Sequence, residues 1–246
     1  MSRATIKISI SPDNIPALSP TEIRVILRAA DDIIASGGRT LLAKILKGSK
    51  DKKVLELGLD QNPSYGYFNA LKIDEIMAKI DWMIHHGFLE IQYSGRLPMI
   101  VFTERGWTIE REQYADELLQ EWDRWVANGV VPLSMEYLKD RNRGMILLFL
   151  EKIKNTGNKQ YIPFLKQWEK IDYKKVRQVI RKVIQHLDKE KGPNSPVVSD
   201  LKPELEKAFE VRPEEPKELK CRECGERFIF DVEEQKFFKK DNKSQC

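Results

Sequence analysis

The sequence is poor in the residues that most enzymes rely on. Its 246 residues include three histidines and three cysteines. All three cysteines, Cys221, Cys224 and Cys246, lie toward the C-terminal end. A disulfide framework spreads its half-cystines through a fold, which this pattern does not do. The histidines stand beside no nucleophile that a base would activate, so a hydrolase reading has no support. No segment has the form GxxxxGK[ST] that cradles the phosphates in nucleotide-driven motors, and Gly48-Ser49-Lys50 lacks the flanks of that loop. The expectation is a protein that is not an enzyme. No apolar run reaches the roughly 18 residues of a membrane span. The first ten residues show no basic segment followed by an apolar stretch, so no signal peptide is expected. A cytoplasmic location, with nucleoid association open, follows as an expectation, and no membrane partner is expected.

Charge of one sign is also scarce as an excess. Lys and Arg total 42 against 38 Asp and Glu, a net charge of +4. That permits a polyanionic partner without demanding one, so local clustering must decide. Hydrophobic residues make up 41% of the chain and charged residues 33%, enough apolar matter for a folded core.

What is present reads as a mainly α protein. Ser19-Pro20-Thr21-Glu22 combines an N-cap serine, a proline at the first helical position and a glutamate three residues after the cap. Ile23, Ile26, Leu27, Ala30 and Ile34 then recur at helical spacing, and Gly37-Gly38 closes the segment. Before Ser19, alternating Ile6, Ile8 and Ile10 fit either a short strand or an ordered arm. From Arg39 to Glu110 the pattern is helix, helix, helix, hairpin. Leu41, Leu42, Ile45 and Leu46 form one apolar stripe. Val54, Leu55 and Leu57 form a second, and Ile73, Ile76, Met77, Ile80 and Ile84 a third. Residues 88–93 and 99–102 are strand-like, with Ser94-Gly95-Arg96-Leu97-Pro98 as the turn. Three helices plus a β-hairpin wing is the winged-helix order.

Beyond it, residues 114–187 are helical throughout, and from Lys189 prolines among charges define a linker. The expected division is 1–38 arm and leading helix, 39–112 winged helix, 113–190 helical domain, 191–219 linker and 220–246 cysteine tail.

Several motifs in order are specific. Leu46-Lys47-Gly48-Ser49-Lys50 precedes Val54-Leu55-Glu56-Leu57-Gly58-Leu59-Asp60, then Ser64-Tyr65-Gly66. Downstream come Gly87-Phe88-Leu89, the hairpin, and Phe102-Thr103-Glu104-Arg105-Gly106. Over roughly residues 38–110 this resembles the RQC domain of RecQ-family helicases, of the bacterial RQC-minor type. The resemblance implies a winged helix that binds DNA, at duplex ends or junctions, in replication or repair. It also implies that the wing, rather than the third helix, is the prominent DNA element.

The residues give this a physical basis. Gly48-Ser49 breaks one helix before the next, Ser49 is read as its N-cap, and free amides at a helix start bind phosphate. Lys47, Lys50, Lys52 and Lys53 crowd there against a single acid, Asp51. Phosphate binding and a solvated basic loop are the alternatives. The third helix is read as exposing Asp74, Glu75 and Asp81 against Lys72 and Lys79, acids that a phosphate-lined groove would repel. The wing carries Tyr93, Arg96 and Leu97. In the resembling helicases an aromatic at the wing tip helps part strands; Tyr93 is near the turn, where stacking on a base pair competes with packing on the sheet. The adjacent His85 and His86 point to different helix faces and suit a capping or surface role, not chelation.

Residues 153–187 resemble a single HEAT-type repeat, and the last helix exposes Lys174, Lys175, Arg177, Arg181 and Lys182, either as a phosphate-binding surface or as a solvated face. Cys221-Arg222-Glu223-Cys224-Gly225 is a half-site of the zinc-knuckle kind. With Phe228, Phe230, Phe237 and Phe238 around it, the tail resembles a partial zinc ribbon in which Cys221, Cys224 and Cys246 would hold zinc and a fourth ligand is missing. Unpaired thiols are the alternative. The function expected is DNA binding without catalysis, with other replication or repair proteins as further partners. A protein-interaction scaffold, a transcription regulator or a helicase-associated subunit are the competing readings.

Overall fold

The computed structural model describes residues 15–189, 202–210, 217–220 and 227–230. The chain divides into two compact units, residues 1–107 with 206–246, and residues 108–205.

The first unit begins with α1, Pro20–Asp31. The capping box forms as its sequence dictates: the Glu22 amide donates to Ser19 Oγ, and the Ser19 amide to the Glu22 carboxylate at 2.9 Å. Ile23, Ile26 and Leu27 are buried. The leading helix thus belongs to the core of this unit, while Ile6, Ile8 and Ile10, read as a strand or an arm, lie outside the described residues. After it the chain runs alongside the later hairpin: the Ala35 amide donates to the Ile100 carbonyl, and the Ile100 amide to Gly37, each at 2.9 Å. Gly38 fits because a Cβ there would lie 2.8 Å from the Pro98 carbonyl oxygen.

Helix α2, Arg39–Lys47, buries Leu41, Leu42, Ile45 and Leu46 and ends at Gly48, whose φ is +74°. Helix α3, Lys52–Glu56, is a single turn. It buries Val54, while Leu55 and Leu57, expected on the apolar stripe, are exposed. One turn has room for only one inward position. Helix α4, Ile73–His85, buries Ile76, Ile80, Trp82 and Met83 and packs on α2. Asp81, read from the sequence as solvent-facing, is instead buried in an ion pair with Arg39. His86 caps the helix C-terminus, its ring stacked on Trp82 at 3.9 Å.

Strands β1, Leu89–Ser94, and β2, Leu97–Phe102, pair antiparallel with Leu89 opposite Phe102 and Ser94 opposite Leu97. The turn is therefore only Gly95-Arg96, shorter than the five residues expected. Pro98 joins the strand opposite Tyr93. Gly95, at φ +63°, takes the first central position, where a two-residue hairpin turn of this twist admits glycine.

Thr103 then links the hairpin to the next helix. Its hydroxyl donates to the Gly87 carbonyl at 2.6 Å and accepts from the Gly106 amide. Gly106 permits this close approach, since a Cβ would stand 2.2 Å from the Phe88 carbonyl oxygen.

The second unit holds most of α5, Glu104–Ala127, followed by α6, Arg143–Thr156, α7, Ile162–Ile171, and α8, Lys174–Lys189. Helices α6 and α7 both pack on α8. Trp122, Phe149, Tyr161, Phe164 and Trp168 build the core, with ring centroids 4.9–6.1 Å from Trp122. Trp122 Nε1 donates to the Tyr137 hydroxyl, and Lys152 pairs with both Glu112 and Asp116.

The stretch read as a linker contains helix α9, Lys202–Phe209, and strand β3, Lys217–Lys220, which pairs antiparallel with β4, Arg227–Phe230. Proline at 203 does not oppose a helix there, because the first turn tolerates it.

Candidate nucleic-acid interface

The corner between α2 and α3 is assembled from the separated glycine motifs of the sequence. Gly48 and Gly66 meet backbone to backbone; a Cβ on Gly48 would come within 2.9 Å of Gly66 Cα. The Gly66 and Phe68 amides donate to the Ile45 and Leu46 carbonyls at the end of α2, each at 2.9 Å. The Tyr65 hydroxyl donates to the Ser49 carbonyl at 3.1 Å. The Lys-Gly-Ser step and the Tyr-Gly turn are therefore two halves of one contact. That contact aims the following residues, 50–53, outward.

Ser49 does not cap α3. Its hydroxyl accepts from the Asp51 amide at 3.2 Å, and Asp51 is the cap, accepting from the Lys53 amide at 3.1 Å. The helix starts two residues later than the glycine break suggested, which moves the capping duty to the next suitable side chain. Asp51 also accepts from Lys44 at 2.7 Å, and that bond and the Lys53 amide hold its carboxyl below the ordinary aspartate range. The helix start thus already carries an anion of its own, and a single turn develops little dipole.

Lys47 is a second correction. Its ammonium donates to the Asn69 and Leu71 carbonyls at 2.6 Å each, closing the loop into α4, so two of its three donors serve the fold. Lys50, Lys52 and Lys53 are exposed. Lys52 lies 3.5 Å from Glu56 in a solvent-facing pair, which leaves its charge largely available. The structure therefore brings together three exposed lysines at one corner.

The wing supplies different chemistry. Arg96 is exposed in the turn, Leu97 beside it is 56% exposed, and Tyr93, one pair further down, is 40% exposed. The tip is thus arginine and leucine; the aromatic ring is set back on the face that Leu89 and Ile91 share. Helix α4 presents Asp74 and Glu75 outward at its start, while Lys79 is tied to Glu22 at 2.7 Å. Even with Asp81 removed from that face, it remains acidic and ill suited to a groove lined by phosphates.

Arg105 was not singled out from the sequence, although it lies inside a recognised motif. Its guanidinium donates to three carbonyls: His86 at 2.7 Å, Ala208 at 2.6 Å and Glu210 at 2.6 Å. It also lies 3.7 Å from the centre of the Phe88 ring. With Arg24 over the Phe209 ring at 4.9 Å, it docks the end of α9 onto the first unit.

Cys221, Cys224 and Cys246 lie outside the described residues. The pairing of Lys220 with Arg227 closes a six-residue connection, 221–226, that contains the first two cysteines. No helix among the described residues is long and apolar enough to cross a membrane.

Residues 21–118 match the family profile of the RQC domain, a span that starts in α1 and ends in α5. Residues 215–245 match a probable treble clef domain, a closer definition of the tail than the zinc ribbon the sequence suggested. Among curated proteins, the ATP-dependent DNA helicase RecQ of Bacillus subtilis (strain 168) is 33% identical over 69 residues, which is 28% of this chain and 12% of the relative. The chain thus matches only a small part of that helicase. No solved structure matches.

Proposed function

We propose that this RQC-containing chain binds DNA and catalyses nothing itself. The observation that carries the reading is the corner of Lys50, Lys52 and Lys53, held outward by the Gly48–Gly66 contact within the stretch that matches the RQC profile. Lysines of this kind bind phosphates without regard to sequence and with strong salt dependence. The wing adds Arg96 for a phosphate and Leu97 and Tyr93 as apolar surface. That combination suits an exposed terminal base pair at a duplex end or a junction better than an uninterrupted groove. The acidic start of α4 favours the same choice, since it opposes deep insertion into the major groove.

The test is binding to duplex, forked and single-stranded DNA over a salt series. Replacing Lys50, Lys52 and Lys53 together with alanine is expected to weaken duplex and fork binding and to reduce the salt slope by roughly 0.9 per lost phosphate contact. An unchanged slope and affinity overturns the reading. Purified chain is expected to show no DNA-stimulated ATP hydrolysis, because the phosphate loop that drives such motors is absent from its sequence. A role in replication or repair follows from the preference for ends or forks, and equal affinity for all three DNA forms counts against it.

For the tail, the reading is zinc held by Cys221 and Cys224 on the connection between β3 and β4, with Cys246 as a third ligand. The metal would tie the hairpin together and supply folding free energy to a module too small to build its own core.

A further inference from the structure

The second unit contains a cavity of about 570 Å³ lined by Lys139, Arg141, Arg143, Lys174 and Lys175, with Asp140 and Asp172 among them and Ile146 and Val176 as its apolar part. None of the five cations forms an ion pair among the described residues. Arg141, Arg143, Lys174 and Lys175 are exposed and Lys139 is half-buried, whereas the partly buried Arg39, Lys44, Lys79 and Lys152 are each paired with an acid. The two acids of the cavity do not serve the cations either. Asp172 accepts from Trp168 Nε1 and from the Tyr173 amide, each at 2.6 Å, and Asp140 accepts from the Tyr173 hydroxyl at 3.0 Å.

Three of the cations also stand where local electrostatics disfavours them. Arg143 is the first residue of α6, and Lys174 and Lys175 are the first two of α8; neither helix has an acid in its first turn. The start of a helix carries partial positive charge and is stabilised by anions, not cations. Two helices that carry cations instead of acids in their first turns at one cavity concentrate positive charge there, and among the described residues none of these three cations forms an ion pair. Tyr173, 58% exposed, stands in the same lining with Lys139 5.7 Å from its ring centre.

We propose that this cavity is a second nucleic-acid site, taking the phosphodiester backbone of a single strand on Arg143, Lys174 and Lys175 and a base on Tyr173. It rests on the reading above only in taking nucleic acid as the polyanion. Cations beside an exposed aromatic are the combination that holds single strands, where every base offers a face for stacking. A duplex hides those faces, so the single strand is the form selected.

The experiment uses the full chain and a short fluorescent single strand over a salt series, with a duplex in parallel. R143Q/K174Q/K175Q is expected to weaken single-strand binding about tenfold and to lower the salt slope by about two, at roughly 0.7 per contact. Its duplex binding stays close to that of the unmodified chain. Tyr173→Ala is expected to weaken the strand fivefold or more, while Tyr173→Phe, which keeps the ring and loses the bond to Asp140, binds as the unmodified chain does. The triple variant should also melt at a higher temperature, because it removes cations from two helix starts. Single-strand binding at full strength by the triple variant overturns the proposal, and so does a melting temperature that falls together with binding. Displacement of the strand by polyglutamate of matched charge as readily as by a second strand overturns it too, by showing a site for any polyanion. Failure of the Lys50, Lys52 and Lys53 variant to change duplex binding is a separate result, which refutes the first site and leaves this one standing.

Discussion

Individual residues in this chain often do work that their position in a motif conceals. Lys47 and Lys50 stand three apart in the same basic run, yet one closes a loop on two carbonyls and the other faces solvent. Asp51 has a double part. It caps α3, and it places a negative charge in the middle of the lysine corner. Asp51→Asn keeps the capping oxygen, since asparagine caps as well as aspartate, and removes the charge. DNA affinity is expected to rise, most clearly at low salt. A fluorescence titration that shows weaker binding for this variant means the corner does not face phosphate. Arg105 is the residue whose loss should be felt most in stability. Three carbonyls and a ring depend on one guanidinium, and alanine is expected to cost about 2–4 kcal/mol in a urea titration. Lysine cannot reproduce the fork and restores only part. The same variant should become sensitive to protease near residues 202–210, where α9 loses its anchor.

At the scale of elements, the caps and turns explain why each helix begins and ends where it does. The α1 capping box is also an electrostatic link to α4. Burial opposes ionisation of Glu22, but the bonds from Lys79 and Ser19 outweigh it and hold the carboxyl below the ordinary glutamate range. A carboxyl lowered in the folded state stabilises above its unfolded value, near pH 4.3, and the contribution disappears as pH falls through the lower folded value. The first unit is expected to lose stability on acidification below about pH 4.3. Glu22→Gln should flatten that part of the curve in denaturant melts at stepped pH, and an unaltered curve would show that Glu22 carries none of it. The Ser19→Ala variant should cost about 1 kcal/mol at neutral pH. The hairpin makes a different point. A two-residue turn puts Arg96 and Leu97 at the tip and sets Tyr93 back, so any strand-parting wedge here is aliphatic. Leu97→Ala should weaken binding to a fork more than to an uninterrupted duplex.

The whole molecule combines an RQC-containing unit with a helical unit whose own cavity is basic, and a cysteine-bearing tail. Zinc analysis of the intact chain is expected to find about one ion per chain, lost in Cys221→Ser/Cys224→Ser. Removing it with chelator should expose the tail to protease while the melting of the helices and hairpin between residues 20 and 107 changes little. The reason lies in Arg105, whose bonds to Ala208 and Glu210 hold the chain upstream of the cysteines. A chain without zinc, or residues 20–107 melting when the metal is removed, contradicts this arrangement.

Much of the fold was legible in the linear order of residues. Helical spacing, the Ser19–Glu22 capping box and the glycines after α2 and α4 are local signals, and local energetics enforces them. The motif order around Gly48, Gly66, Gly87 and Gly106 was equally legible, because a left-handed backbone at the first three and the close approach to Phe88 at the last favour glycine. The sequence alone determined a mainly helical winged-helix protein with clustered lysines and a CxxC tail. It could not determine which lysines remain available, since Lys47 finds its acceptors 22 and 24 residues away. Nor could it show that Asp81 turns inward to Arg39, that residues 202–209 form a docked helix, or that the starts of α6 and α8 open into one cavity. Those depend on pairs distant along the chain, and only tertiary packing brings them within reach of a hydrogen bond or a shared charge.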